Sequence, residues 1–209
     1  EFFIRYAKQY TDFPNLVLID EQDGVYVPGR FLTAEDLGAE GNNMQWKTVV
    51  YDEASHTYAV PNGSLGFRWG EEGRWNLKMD DTASGEPIEP RLSMLGIEHE
   101  VLSVTLPYFD DEGGHVMERV VPVKQIVSGG RQMRVTTVYD LVLAKYGVDR
   151  GLGDAKLTTE SEENRPFTPA WQEKITGVPR QTAEQIAREF ARNAIETKGR
   201  SMIIMGAGI

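Results

Sequence analysis

Cysteine is absent from all 209 residues. This chain therefore forms no disulfide, carries no thiolate nucleophile and holds no iron–sulfur cluster or zinc ion through sulfur. Histidine is scarce. His56, His99 and His115 are the three present, and none lies three to five residues from another, so no helix face carries a His-x-x-x-His ligand pair. Positive charge is in deficit: 22 Lys and Arg stand against 32 Asp and Glu, for a formal net charge of -10. A nucleic-acid partner needs its phosphates neutralised by excess Lys and Arg, so that class is disfavoured, although a local site for a small anion is not. No apolar run nears the ~18 residues of a membrane-spanning helix, and no signal-peptide pattern is visible.

What is present belongs to an ordinary folded chain. Hydrophobic residues make up 40% and charged residues 26%, and four Trp, eight Tyr and eight Phe can anchor a core. At ~150 residues per domain the length suits one large domain or two small ones. Both ends read as cut. Glu1 opens directly into a helical pattern of Phe2, Phe3, Tyr6 and Tyr10. At the other end, residues 201–205 read as a buried strand that runs into Gly206-Ala207-Gly208-Ile209, and a strand entering a glycine-rich turn normally continues. The expectation is a piece of a longer protein.

Between the ends the pattern is hairpin-rich first and helical later. Strands are expected at 15–19 and 25–27 across the turn Asp23-Gly24, and at 46–51 and 57–60 across 52–56. Thr33 is placed to cap a short helix over 33–37. Residues 67–76 are almost mirror-symmetric about Glu71-Glu72, setting Arg68 opposite Trp75 and Trp69 opposite Arg74. Guanidinium stacking on indole fits a structural hairpin better than an RNA surface in so acidic a chain. Strands follow at 101–106 and 116–127, with Pro122 marking an edge or a break. A helix is expected over 135–147, with Val138, Leu141, Val142 and Tyr146 on one face and Gly147 at its end. Residues 158–165 read as a polar linker. Thr168-Pro169 caps a helix that closes at Gly177, Pro179 starts another, and Ala183, Ile186, Ala187, Phe190 and Ala194 form its apolar stripe before Gly199. The fold class is α+β. A hairpin-rich segment, 1–134, precedes a helical segment, 135–209, that ends in a strand and turn opening an α/β layer.

Chemistry-bearing clusters are few. Asp110, Asp111, Glu112 and His115 form the densest ligand-like group, but a Gly-Gly loop between strands is also where solvated acids belong. Glu98-His99-Glu100 resembles it, and Glu71 with Glu72 form an adjacent acid pair that rarely faces one site. Gly206 and Gly208 are the strongest candidates for binding. Glycines after a buried strand let backbone N–H groups approach a phosphate-bearing ligand with no Cβ in the way. No catalytic and no metal-ligating residue is assigned within the chain.

A set of longer strings carries more. Tyr-Thr-Asp-Phe-Pro at 10–14, Pro-Asn-Gly-Ser-Leu-Gly-Phe-Arg-Trp-Gly at 61–70 and Val-Thr-Thr-Val-Tyr-Asp-Leu at 135–141 come in that order. Tyr146-Gly147, Thr168-Pro169-Ala170-Trp171, Ile175-Thr176-Gly177-Val178 and the run 199–208 follow. Together they resemble the catalytic alpha subunit of membrane-bound respiratory nitrate reductases over essentially the whole chain. The last blocks alone resemble the wider molybdopterin oxidoreductase family. The resemblance implies a parent protein that reduces nitrate to nitrite on a molybdenum bis(molybdopterin guanine dinucleotide) and also holds a 4Fe-4S cluster. It further implies electrons drawn from quinol through an iron–sulfur beta subunit and a haem-bearing membrane gamma subunit, at the cytoplasmic face of a membrane. The segment matches a region downstream of the family's cluster-binding motif and of its Asp ligand to molybdenum. By itself it is expected to be inactive, with Gly206 and Gly208 as its approach to the cofactor. A nitrite-oxidising relative and a non-enzymatic interaction module are the alternatives.

Overall fold

A computed structural model describes residues 2–62, 79–107, 116–154, 164 and 167–203. The chain divides into two units, Tyr6–Leu157 and the pair Glu1–Arg5 with Thr158–Ile209. The first element is α1 (Phe2–Tyr10), as its aromatic spacing predicts.

The larger unit is built on a five-stranded antiparallel sheet. Its strands are β1 (Leu16–Gln22), β2 (Val25–Phe31), β5 (Glu100–Pro107), β6 (Val116–Ser128) and β7 (Arg131–Thr137), in the spatial order β2-β1-β7-β6-β5. The sheet curls until its edge strands β2 and β5 lie alongside each other. Asp23 and Gly24 both take the left-handed conformation, at φ 51° and 80°. That is the two-residue turn whose twist matches the strands it joins. Strand β2 carries an extra residue where the register shifts between Val17 and Ile19 of β1. Gly29 sits in this bulge, where a Cβ would come within 2.2 Å of the Asp20 carboxylate and the Asp20 side chain would have to move.

Strand β6 is long because it changes partner. Residues 116–123 pair with β5, and residues 124–128 pair with β7. Pro122 neither ends nor breaks it. It lies in the stretch where β6 pairs with β5 and not yet with β7, so the missing N–H costs no rung on the β7 side. Its carbonyl accepts a hydrogen bond from Thr136 Oγ1 at 2.7 Å.

The core of this unit gathers Leu16, Leu18, Leu32, Val49, Tyr51, Met94, Ile126, Met133 and Val135. A short hairpin, β3 (Val50–Asp52) and β4 (Thr57–Ala59), stands beside it, and Val50, Ala59 and Ile88 form a second apolar cluster. The second hairpin is thus shorter than its sequence pattern suggests, and Trp46 falls in a 3-10 turn, Met44–Trp46. Residues 35–37 also form a 3-10 turn, with the expected capping roles reversed. The Asp36 carboxylate accepts from both the backbone N–H and the hydroxyl of Thr33, each at 2.9 Å.

Helix α2 (Val138–Lys145) starts three residues later than the sequence suggests, because 135–137 complete β7. The face it buries also differs. Asp140 and Ala144 point inward, whereas Tyr146 is exposed. Polar anchoring of Asp140, described below, outweighs the apolar stripe in orienting the helix.

The smaller unit contains α3 (Pro169–Thr176) and α4 (Arg180–Glu196). Its local signals act as expected. Thr168 Oγ1 accepts from Trp171 N at 3.2 Å with Pro169 in the first turn, and Gly177 closes α3 at φ 72°. Gly199, at φ 93°, follows α4, and its N–H donates to Ala194 O at 2.7 Å. Residues 201–203, expected as the start of a buried strand, are unpaired with any strand among the described residues. Met202 is 78% and Ile203 72% exposed. An extended apolar run needs a neighbouring ladder and a covering layer to be buried, and the described residues supply neither.

Three carboxylates are held below their ordinary pKa. For Asp36 the main cause is the hydrogen bond from Arg30, whose two terminal nitrogens each reach the carboxylate at 2.6 Å, followed by the donors of Thr33. For Asp52 and Asp81 burial pulls the other way but is outweighed. Ser55, Glu89 and Ala54 donate to Asp52, and Val60, Ser84 and Ala83 donate to Asp81. A depressed carboxyl adds stability that is complete above the unfolded-state pKa of about 4 and disappears as pH falls through the lower folded-state value. Unfolding stability is therefore expected to fall as pH drops below about 4. Asp36→Asn should flatten that decline in urea-unfolding series taken across the acid range. An unchanged slope would assign the acid sensitivity to other groups.

Candidate functional site

The two residues assigned to cofactor contact, Gly206 and Gly208, lie outside the described residues. What is described is the segment leading to them. Asn193 Nδ2 on α4 donates to Arg200 O at 3.2 Å and to Ser201 Oγ at 2.7 Å, and Ser201 Oγ donates to Phe190 O at 3.1 Å. Thr197 Oγ1 accepts from Arg200 N at 3.1 Å. The chain after α4 is thus tied back onto the helix by short polar side chains, which fixes where the run toward Gly206 begins. Sequence pattern alone locates the turn at Gly199 but not these ties.

The acidic group Asp110, Asp111, Glu112 and His115 also lies outside the described residues, as do Arg68, Trp69, Arg74, Trp75, Glu71 and Glu72. Glu98, His99 and Glu100 do not converge on one point. His99 Nδ1 lies 2.7 Å from Ile97 O, and Glu100 accepts from Gln125 on the neighbouring strand. Among the described residues no group of three His, Asp or Glu is placed to hold a metal ion.

Among the described residues, two of the cavities open on the larger unit. One, of about 360 Å³, is lined by Lys8, Asn15, Trp46, Thr48, Met79 and Pro90, among others. Lys8 is the cation a small anion would seek there, but it is engaged. Its Nζ donates to Glu53 at 3.0 Å and to Glu89 at 2.5 Å, and Glu53 is also bound by Arg91 at 2.6 Å. Burial draws the Lys8 pKa down, and the two glutamates more than reverse this, leaving it raised. The other cavity, of about 410 Å³, is lined by Asp52, Asp81 and Glu86. The Asp52 and Asp81 carboxylates there accept from neighbouring backbone N–H groups and from serine hydroxyls, which makes them turn-forming groups. The charged groups named in both cavities are thus engaged by partners within the chain.

A further polar group, fully buried and bonded on both oxygens, is not marked by the sequence reading. Asp140 is fully buried. Its carboxylate accepts from Ser93 Oγ at 2.6 Å, Met94 N at 2.8 Å and Arg150 at 2.5 Å, and its own N–H donates to Thr137 Oγ1 at 3.0 Å. Thr137 Oγ1 in turn donates to Leu92 O at 2.6 Å. The Thr-x-x-Asp spacing at 137–140 is the available signal, a capping pattern at a strand-to-helix junction. The cluster fastens the 92–95 loop to the start of α2. It is an architectural centre whose two oxygens are bonded by donors of the chain itself.

No family model matches the chain. Individual relatives match along its whole length. It is 52% identical to the nitrate reductase alpha chain of Bacillus subtilis over 209 residues, which is 100% of this chain and 17% of the relative. It is 47% identical to the respiratory nitrate reductase 1 alpha chain of Escherichia coli over 223 residues, 100% of this chain and 18% of that protein. A nitrate reductase alpha subunit of Mycobacterium tuberculosis is 46% identical over 213 residues, again 100% of this chain and 17% of the relative. The chain thus spans less than a fifth of the length of these relatives. Identity at this level runs along the whole chain, from α1 through the run 199–208, so the chain is similar throughout to a stretch of the nitrate reductase alpha chains.

Proposed function

We propose that the chain is an internal segment of a molybdenum-dependent respiratory nitrate reductase alpha subunit. The whole subunit reduces nitrate to nitrite and water, with two electrons and two protons. Electrons come from quinol through an iron–sulfur beta subunit and a haem-bearing membrane gamma subunit, on the cytoplasmic side of the membrane. The observation that carries this reading is full-length identity of 46–52% to alpha chains from three distantly related bacteria.

Within that subunit the segment acts as scaffold. Its residues do not fit an iron–sulfur cluster, because it has no cysteine to ligate one. They also offer no cluster of carboxylates among the described residues for a metal. What fits is a backbone contact. Gly206 and Gly208 would present N–H donors to the phosphates of a pterin dinucleotide, and the ties from Asn193 and Ser201 would hold the approach to that turn. The cofactor, when bound, supplies the oxygen-atom transfer; this chain supplies position.

The test is an assay of the complete subunit with reduced viologen as electron donor. Viologen oxidation should match nitrite formation at two electrons per nitrite, and the 209-residue chain alone should form none. Oxidation of nitrite by the complete subunit, without nitrate reduction, would replace this reading.

A further inference from the structure

The scaffold reading leaves the cavity of about 360 Å³ without a role. All its lining residues belong to the unit Tyr6–Leu157. Part of the lining is stiff. Pro14, Pro61 and Pro90 are buried there, as is Val50, and each proline ring fixes its backbone φ. Small-ligand sites are largely pre-formed, and this volume lies within their range of ~300–1,000 Å³. Two aromatic side chains of the lining are open to solvent, Trp46 at 64% and Tyr10 at 47% exposure. Tyr10 rests against Tyr6, with ring centroids 5.1 Å apart. Trp46 makes no ring contact among the described residues. It is carried on the 3-10 turn Met44–Trp46, which opens at Asn43 in the left-handed conformation, φ 64°.

Charge selects the class of ligand. In the group around Lys8, the cations Lys8 and Arg91 balance the anions Glu53 and Glu89. Asp12 also lines the cavity, and its carboxylate has no hydrogen bond or ion pair among the described residues. Asn15 Oδ1 accepts from Thr48 Oγ1 at 3.3 Å, and an amide oxygen can accept twice. The lining therefore supplies exposed aromatic faces, one uncompensated carboxylate and an amide oxygen with a lone pair to spare. A guanidinium group uses all three. It is flat and stacks on indole, it is a cation that pairs with a carboxylate through two N–H groups, and its remaining donors suit a neutral acceptor. An anion would meet the charge of Asp12, and a purely apolar ligand would desolvate that charge without compensation.

We propose that this cavity is a binding site for a guanidinium group, with Asp12 as its charge partner and Trp46 as its stacking surface. The inference goes beyond the scaffold reading and uses neither the substrate nor the cofactor of the whole subunit.

Calorimetric titration of the complete subunit with ethylguanidinium tests it. Saturable binding is expected. Asp12→Asn should weaken it by at least about tenfold, as for loss of a charge-assisted pair, and Trp46→Ala by at least about threefold. Both side chains are exposed, so both variants should keep the wild-type urea midpoint. Ethylurea, of the same shape but uncharged, should bind at least about tenfold more weakly than ethylguanidinium. A Gly-Arg-Gly peptide blocked at both ends distinguishes the source. Tighter binding than ethylguanidinium supports the site as one for an arginine of a polypeptide, and weaker binding supports it as one for a free guanidinium compound. No saturable binding of ethylguanidinium would overturn the proposal. So would ethylurea binding equally well, or affinity unchanged in both folded variants. A subunit that binds ethylguanidinium in this way but does not reduce nitrate would support the site and remove the functional reading instead.

Discussion

Asp140→Ala is expected to destabilise the chain by about 3–5 kcal/mol, the range for breaking a buried ion pair by removing one partner. The carboxylate is fully buried, and three donors converge on it: the Ser93 hydroxyl, the Met94 N–H and the Arg150 guanidinium. Removing it strands the Arg150 charge, whose side chain is only 11% exposed, and orphans an N–H at Met94, itself fully buried in the core. Against a total stability of about 5–15 kcal/mol for a natural domain, that loss is a large share. Asp140→Asn retains acceptor capacity on one oxygen and should cost less. Urea unfolding followed by tryptophan fluorescence gives both numbers. A loss below about 1 kcal/mol for the alanine variant would reduce the cluster to an ordinary set of hydrogen bonds.

The largest functional effect is expected at Gly208. On the proposed reading Gly208 brings backbone to a phosphate- or pterin-bearing ligand, and a valine there would set a branched side chain in the way. In the complete subunit, Gly208→Val should lower bound molybdenum and guanine dinucleotide to below about a tenth of the wild-type content, with nitrate reduction falling in proportion. Iron should be retained, because this chain has no cysteine to ligate a cluster. Elemental analysis of the purified variant reads molybdenum and iron, cofactor extraction reads guanine dinucleotide, and the viologen assay reads nitrate reduction. Full molybdenum content with full activity would make Gly208 a turn glycine and nothing more.

The contrast between these two positions shows which features a sequence exposes. Local signals are legible because their physics is local. Asp23-Gly24 makes its turn, Thr168-Pro169 caps α3, and Gly177 and Gly199 end helices with the positive φ that glycine permits. Val-rich runs and the turn signal at Asp23-Gly24 place β1, β2, β5 and β6 within a few residues. The junction at 135–138 was misplaced because Val135, Thr136 and Thr137 suit either state, and what decides is pairing of β7 with β1 and β6. Asp140 was passed over because its partners lie 46 and 47 residues earlier, at Met94 and Ser93, and no periodicity reports contacts at that range. Residues 201–203 carry the composition of a buried strand but stand exposed, since composition records what a segment needs and not whether its neighbour is at hand. Gly206 and Gly208 stand out from the residues as an approach for a phosphate-bearing ligand, and the resemblance alone makes that ligand a pterin dinucleotide. Two glycines at 206 and 208 carry too little pattern to name a ligand.

The most direct measurement is an exchange of segments. In the Bacillus subtilis alpha chain, 52% identical over this length, the matching stretch is replaced by these 209 residues, and the purified hybrid is assayed for nitrate reduction and for molybdenum. If the chain is a nitrate reductase segment with the scaffold role assigned here, the hybrid retains its molybdenum. It then forms nitrite at a rate within about tenfold of the unaltered enzyme, equivalent to about 1.4 kcal/mol in the barrier. A soluble, folded hybrid that contains no molybdenum and forms no nitrite would contradict it.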